Sequence, residues 1–332
     1  MPGLLSPLSF AGLTLRNRIV MPPMWSGQAT SDGRVTDAIV EYHRCRAAAG
    51  CGLVIVEHSF VHPRGRASAT QIGVHSDDMI PGLGRLAAAI KAEGAVACLQ
   101  ISHAGPRTSA AVAGDRPLGP SAVRHVHTGD GETPEAATLE QIAEIVAAFG
   151  RAAIRAREAG FDAVELHAAH GFLLSQFLSP LANHRNDPYG GSDENRRRLH
   201  LEVLAEVRTC LGPEFPVFVR LGATDGTPGG LEIEAACATA EQLVRGGADL
   251  VDVSGGVQGS RGAGQGPGYF VQDAEAVNRR VRAPVIVTGG IADWLFADRV
   301  VREGRADLVG IGRAMLNDPD WARKAIASLL PG

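Results

Sequence analysis

The sequence predicts a single (β/α)8 TIM barrel, one domain over residues 1–332. Three observations predict it. Eight short apolar runs rich in Val, Ile and Leu recur along the chain, helix-like stretches fall between them, and no linker or composition break divides the 332 residues. Most of the runs do not alternate polar and apolar residues, the pattern of parallel strands covered on both faces. A doubly wound sheet would also alternate strands and helices, but eight units at this spacing favour closure into a barrel.

The expected strands are 18–21, 53–57, 96–101, 163–166, 217–221, 250–254, 285–288 and 308–311. Between them lie helical patterns such as 78–93 and 139–159. In the second, Ile142, Ile145, Val146, Phe149 and Ile154 recur near helical spacing. Gly50 or Gly52, Gly94, Gly160 and Gly246-Gly247 stand where helices should close before the next strand, a place that favours glycine.

Barrels of this kind keep their chemistry at the C-terminal ends of the strands, so the residues there assemble a candidate site. The first strand leads into Pro22-Pro23-Met24-Trp25 and the second into His58. The third ends at Gln100 and leads into Ser102-His103; the fourth opens onto His167 through Phe172. Arg220 ends the fifth, Ser254-Gly255-Gly256 the sixth, Gly289-Gly290 the seventh and Gly312-Arg313 the eighth.

The last two loops point to a phosphate-bearing ligand. Glycines let backbone N–H groups approach phosphate oxygens, and Arg313 adds a charged contact. His167 and His170 are three residues apart and share a face if the chain turns helically there, so both can hydrogen-bond one oxygen. They could also ligate a metal, but no carboxylate or thiolate partner follows the strands, and no metal is expected. The Gln100 amide can read a heteroaromatic ring edge, and Arg220 can stabilise a reduced, anionic ring. GAGQGPG (262–268) does not run from strand directly into helix as a dinucleotide fingerprint would, so it is expected to be a mobile loop over the site.

Composition narrows the class. Apolar residues make up 45% and charged residues 20%, with a net charge of −4; no basic surface advertises nucleic acid. The one arginine run, Arg196-Arg197-Arg198, follows Asp193-Glu194 and is expected on a solvated helix face. No segment reaches the ~18 apolar residues of a membrane span, and no basic region precedes the apolar N-terminus, so no cleaved signal is expected. Cys45, Cys51, Cys98, Cys210 and Cys237 are odd in number and widely spaced, which argues for reduced thiols in a cytoplasm.

Taken together, these residues resemble the old yellow enzyme family of FMN-dependent ene reductases, especially its bacterial branch. The likeness runs nearly end to end: LRNRIVMPPM (15–24), VEHSFVHPRGR (56–66), LQISHAG (99–105), AGFDAVELHAAHGFLLSQFLSPLANHRNDPYGGSDENRRR (159–198), FVRLGATD (218–225), VTGG (287–290) and GRADLVGIGRAMLNDP (304–319). The resemblance implies FMN as cofactor and NADPH or NADH as reductant. It sets Pro23 and Met24 along the flavin, Gln100 at its pyrimidine edge and Arg220 beside N1 and C2. Gly289, Gly290, Gly312 and Arg313 would cradle the phosphate. His167 and His170 would clamp the oxygen of a small-molecule substrate, usually a conjugated carbonyl, whose alkene takes hydride from flavin N5.

Three positions depart from the family pattern. Phe172 occupies the place of a proton-donating tyrosine, and a general acid is typically worth roughly 10²–10⁴-fold. Trp25 stands where many bacterial relatives carry a redox-tuning cysteine. His58 replaces a small residue, and with an ordinary pKa near working pH it is the expected substitute acid. These changes keep a flavin-dependent isomerase or desaturase open beside the reductase. A sugar-phosphate lyase is disfavoured because the only lysines, Lys91 and Lys324, lie in helical stretches. A flavin-storage protein would not need the histidine pair. The chain ends at Pro331-Gly332, so the C-terminal cluster and nucleotide domains of longer relatives are not expected; a homo-oligomer is compatible with all of this.

Overall fold

The computed structural model describes residues 2–124, 132–260 and 266–330. Eight strands follow one another around a closed barrel: β1 (Ile19–Met21), β2 (Leu53–Phe60), β3 (Val96–Ser102), β4 (Ala163–Ala168), β5 (Val217–Gly222), β6 (Leu250–Ser254), β7 (Val285–Thr288) and β8 (Leu308–Gly310). Each pairs in parallel with the next, and Val309 of β8 pairs back onto Ile19 of β1. A helix follows every strand: Asp37–Ala48, Ile80–Ala92, Leu139–Glu158, Asp193–Leu211, Ile233–Arg245, Val271–Asn278, Trp294–Arg302 and Trp321–Leu329.

Local chemistry explains the boundaries. Thr138 caps Leu139–Glu158 in a reciprocal box: its hydroxyl accepts from the Gln141 N–H, and the Gln141 side chain accepts from the Thr138 N–H. Ser192 and Asp293 cap two further helices the same way on one side. Of the glycines expected to close helices, Gly50, Gly94, Gly160 and Gly247 take positive φ, while Gly52 and Gly246 do not. The arginine run at 196–198 is half-buried rather than fully solvated; Arg196 pairs with Asp193 and Arg198 donates to the Pro188 carbonyl.

The apolar strand runs face two cores. One lies between barrel and helices and includes Val54, Leu99, Leu166 and Val219. The other fills the barrel interior with Val20, Leu53, Ile55, Cys98, Phe218, Leu250 and Ile286. An N-terminal hairpin, Leu8–Phe10 with Leu13–Leu15, seals the bottom of that interior core, with Phe10 and Phe218 rings 5.8 Å apart. Its three-residue strands carry too little pattern to be read from sequence.

Several strands run further than expected, and this places the site. β4 extends to Ala168, so His167 belongs to the strand. β2 extends to Phe60 through a register shift: Val56 pairs with Leu99 but Ser59 pairs with Ile101. Three steps on β2 thus match two on β3, a bulge with one extra residue. Bulges re-aim side chains at barrel rims, and this one contains Glu57 and His58. Among the described residues, no helix is long and apolar enough to cross a membrane.

Candidate active site

A cavity of ≈ 890 Å³ opens at the C-terminal end of the barrel, in the upper part of the roughly 300–1,000 Å³ range of small-molecule sites. Most of the residues read at the strand ends line it: Pro23, Met24 and Trp25 after β1; His58 on β2; Gln100 on β3; His167, His170 and Phe172 at β4; Arg220 on β5; Ser254 on β6; Gly289 and Gly290 after β7; Gly312 and Arg313 after β8; Pro22, Ser102, His103, Gly255 and Gly256 do not. Trp25 stands at the rim, 50% exposed.

The strand register fixes the cavity floor. Gln100 lies beside Glu165 across β3 and β4, and its amide donates to Glu165 Oε1 at 2.7 Å. Arg220 is flanked by His167 on one side and Asp252 on the other. The Arg220 Nε is 3.1 Å from Asp252 Oδ2, yet neither atom has a directed hydrogen bond, so the contact is Coulombic. Burial raises the pKa values of Glu165 and Asp252, and each is drawn back by the Arg220 charge. Sequence reasoning missed both residues; a lone acid inside AVELHA or LVDVS, runs covered on both faces, is the signal that could have found them.

At the other end stand the glycine loops. Gly290 has φ +64. A Cβ there would meet the Tyr269 ring at 2.8 Å, and one at Gly289 would meet it at 2.9 Å. Arg313 Nη2 donates to the Tyr269 hydroxyl at 3.1 Å, and that hydroxyl donates to the Ser260 carbonyl. Only glycine fits this close approach, and it leaves backbone N–H groups free to meet an anion beside Arg313. The residues present therefore fit a phosphate-bearing cofactor, with the Gln100 amide and Arg220 at the ring end. In the expected loop 262–268, residues 262–265 lie outside the described residues; the Gly266 carbonyl abuts Gly290.

The histidine pair is brought together by a left-handed turn, not the helical turn that its spacing suggested. His170 takes φ +60 and Gly171 φ +71, and the His167 and His170 rings sit 5.1 Å apart at 72°. A left-handed non-glycine residue costs of order 1 kcal/mol. Three contacts hold it: the His170 N–H donates to the Gly255 carbonyl at 3.0 Å, its Nε2 hydrogen-bonds Ser254 Oγ at 2.7 Å, and Arg107 donates to its carbonyl. His167 Nδ1 is buried without a partner. Burial, with the charges of Arg220 and Arg107, drives both imidazoles well below their ordinary pKa, so both are neutral.

Phe172 packs against this pair, 4.4 Å from the His167 ring and 5.1 Å from His58. The pKa of His58 is lowered to about 4, first by burial and then by Arg107, which corrects the expectation that it titrates near working pH. Its tautomer follows from a chain of contacts. The Ala67 N–H donates to one end of the Gln71 amide at 2.6 Å, so that end is the oxygen. The Gln71 Nε2 must then donate to His58 Nδ1, at 2.7 Å, leaving the neutral ring with its proton on Nε2. Sequence reasoning missed Gln71, thirteen positions after His58. It also missed Tyr269 and Arg107, which lies beyond the Ser102-His103 segment read at β3.

Comparison with known proteins agrees with this construction. Residues 3–330 match the model of the NADH:flavin oxidoreductase / NADH oxidase family. An NADPH dehydrogenase of Bacillus subtilis is 39% identical over 327 residues, covering 98% of this chain and 95% of that protein. An NADH oxidase of Thermoanaerobacter brockii is 38% identical over 331 residues, but the chain spans only 50% of its length. Among solved structures, 2-naphthoyl-CoA reductase in complex with 2-naphthoyl-CoA superposes with TM-score 0.92 at 29% identity; it covers 98% of this chain, which spans 52% of it. An old yellow enzyme homologue from Zymomonas mobilis superposes with TM-score 0.87 at 28% identity over 100% of this chain and 94% of its own. The chain belongs to the NADH:flavin oxidoreductase / NADH oxidase family, the old yellow enzymes, and is an FMN-dependent oxidoreductase with NAD(P)H as reductant.

Proposed function

We propose that this chain, as one FMN-binding domain over residues 1–332, reduces a C=C bond activated by a conjugated carbonyl, with NADPH or NADH as reductant. The observation that carries the reading is the His167–His170 pair, two neutral imidazoles with rings 5.1 Å apart on the cavity wall. A neutral imidazole offers one N–H donor, and two on neighbouring rings suit a single carbonyl oxygen, that of His170 being Nδ1–H when Ser254 Oγ donates to its Nε2. FMN, when bound, supplies the two-electron carrier between nicotinamide and alkene.

The chain's own residues do the rest. Gly289, Gly290, Gly312 and Arg313 would hold the cofactor's phosphate, and Gln100 and Arg220 its ring. Pro23, Met24 and Trp25 form the remaining wall. Donation from His167 and His170 draws electron density from the far alkene carbon. Phe172 fills space and carries no acidic proton, so we assign the one proton that the other alkene carbon takes up to His58 Nε2, directly or through a water. We also propose a cytoplasmic protein, supported by five unpaired cysteines.

The test is an anaerobic titration of the purified protein with NAD(P)H and then cyclohexenone. Flavin absorbance should bleach with the first and return with the second. A phenolate ligand should give a long-wavelength charge-transfer band that His167→Ala/His170→Ala abolishes while FMN stays bound. Stoichiometric zinc or iron, with activity lost to chelators, would remove the assignment of the pair. Phe172 also favours a second reading, isomerisation or desaturation, which needs no acid at that position. It would appear as conversion of a β,γ-unsaturated ketone with no NAD(P)H consumed.

A further inference from the structure

Among the described residues, the cavity lining holds three guanidinium groups, those of Arg107, Arg220 and Arg313, and no carboxylate. Two of the three are accounted for. Arg220 faces Asp252 at 3.1 Å in the floor, and Arg313 stands at the glycine loops against the Tyr269 hydroxyl. Arg107 is left over.

Its position is on the substrate side. Arg107 follows β3, its Nη1 donates to the His170 carbonyl, and its guanidinium lies 5.8 Å from the centre of the Phe172 ring. It forms no ion pair among the described residues, and the influence that sets its pKa is burial, which lowers it with no opposing acid. Neither the aromatic face nor one backbone carbonyl neutralises a half-buried cation. Such a group carries a desolvation cost that a matching anion removes, and a guanidinium matches a carboxylate through two parallel N–H donors.

We propose that Arg107 forms an anion subsite for a carboxylate on the substrate, so that the enzyme acts on enone-type acids in preference to neutral enones. The inference rests on the carbonyl-clamp reading of His167 and His170, and adds a second point of attachment beside it. The pyrophosphate of NAD(P)H offers related oxyanion chemistry, and the test separates the two sources.

Equilibrium titrations of the oxidised holoenzyme, read by flavin absorbance, compare 4-hydroxybenzoate with neutral 4-hydroxybenzyl alcohol. Wild type should bind the acid more tightly. Arg107→Gln should weaken the acid by about 10- to 100-fold and change the alcohol by less than about threefold, while Arg107→Lys keeps part of the preference. Equal loss for both ligands would overturn the proposal and make Arg107 a positioning residue for His170. No preference in wild type would overturn it without any variant, should Arg107→Gln fail to fold. Weakening confined to the NADPH-dependent half-reaction would assign the site to the reductant and overturn it too. If wild type prefers the acid yet never reduces cyclohexenone or an enone acid, the subsite stands and the reductase reading fails.

Discussion

At the scale of single residues, chemistry turns on Phe172 and His58. The two rings are 5.1 Å apart, so His58 stands next to the position from which the missing phenol would act. Phe172→Tyr adds one hydroxyl at nearly constant volume and should raise the rate of cyclohexenone reduction by about tenfold or more. The NAD(P)H half-reaction, which needs no proton donor there, should not change. His58→Ala should slow the same step. If His58 donates as imidazolium, its pKa of about 4 makes the charged form scarce at neutral pH, and the wild-type rate should climb as pH falls from about 8 to about 5. Stopped-flow recovery of flavin absorbance reads all three proteins. A wild type that is already fast, and indifferent to both changes, would leave Phe172 as a spacer and His58 without a catalytic part.

At the scale of elements, the loops after β7 and β8 were legible and the bulge in β2 was not. Gly289-Gly290 and Gly312-Arg313 at the ends of two apolar runs are the pattern behind the phosphate cradle proposed above, because few other residue types leave backbone N–H groups exposed to an anion. Arg313→Ala should therefore weaken FMN retention by about 1.5–3 kcal/mol, or roughly 10- to 100-fold, measured as the dissociation constant of the released cofactor. Unchanged retention would mean that the backbone and Tyr269 suffice. The bulge left no comparable trace. An extra residue between Val56 and Ser59 is a property of pairing with β3, and a strand read alone carries no register. For the same reason Gln71 escaped notice, since its tie to His58 crosses a loop. The His167–His170 spacing gave the correct neighbours for the wrong geometry, because a left-handed residue at His170 brings them together where a helical turn was expected.

At the scale of the whole molecule, the barrel was legible because strands buried on both faces must be apolar throughout, and the same burial leaves an acid-sensitive protein. His43 and His58 are lowered to about 4 and His103 and His200 to about 3, and His167 and His170 fall well below their usual value. The cause is burial in each case. Each histidine stabilises the fold fully above its unfolded pKa of 6.5, and that stability is lost as pH falls from 6.5 toward the folded value. Glu57, Glu165 and Asp252 have raised values and act in the opposite sense, regaining stability as they protonate. With His75 lowered and Asp273 raised as well, seven histidines against four carboxylates set the net sign, so Tm should fall between about pH 6.5 and about pH 4. His200 isolates the effect. It is 1% exposed, neither ring nitrogen has a hydrogen-bond partner, and it does not line the cavity, so cofactor binding cancels in the comparison. His200→Leu removes a buried polar group without orphaning another, which should stabilise at any pH. Near pH 5 the gain should be larger by about 2 kcal/mol, because only the wild-type unfolded chain takes up that proton. Thermal melts of both proteins near pH 5 and pH 8 measure the difference directly. An equal shift at the two pH values would show that His200 keeps an ordinary pKa in the folded protein, and would refute buried neutral histidines as the source of acid sensitivity.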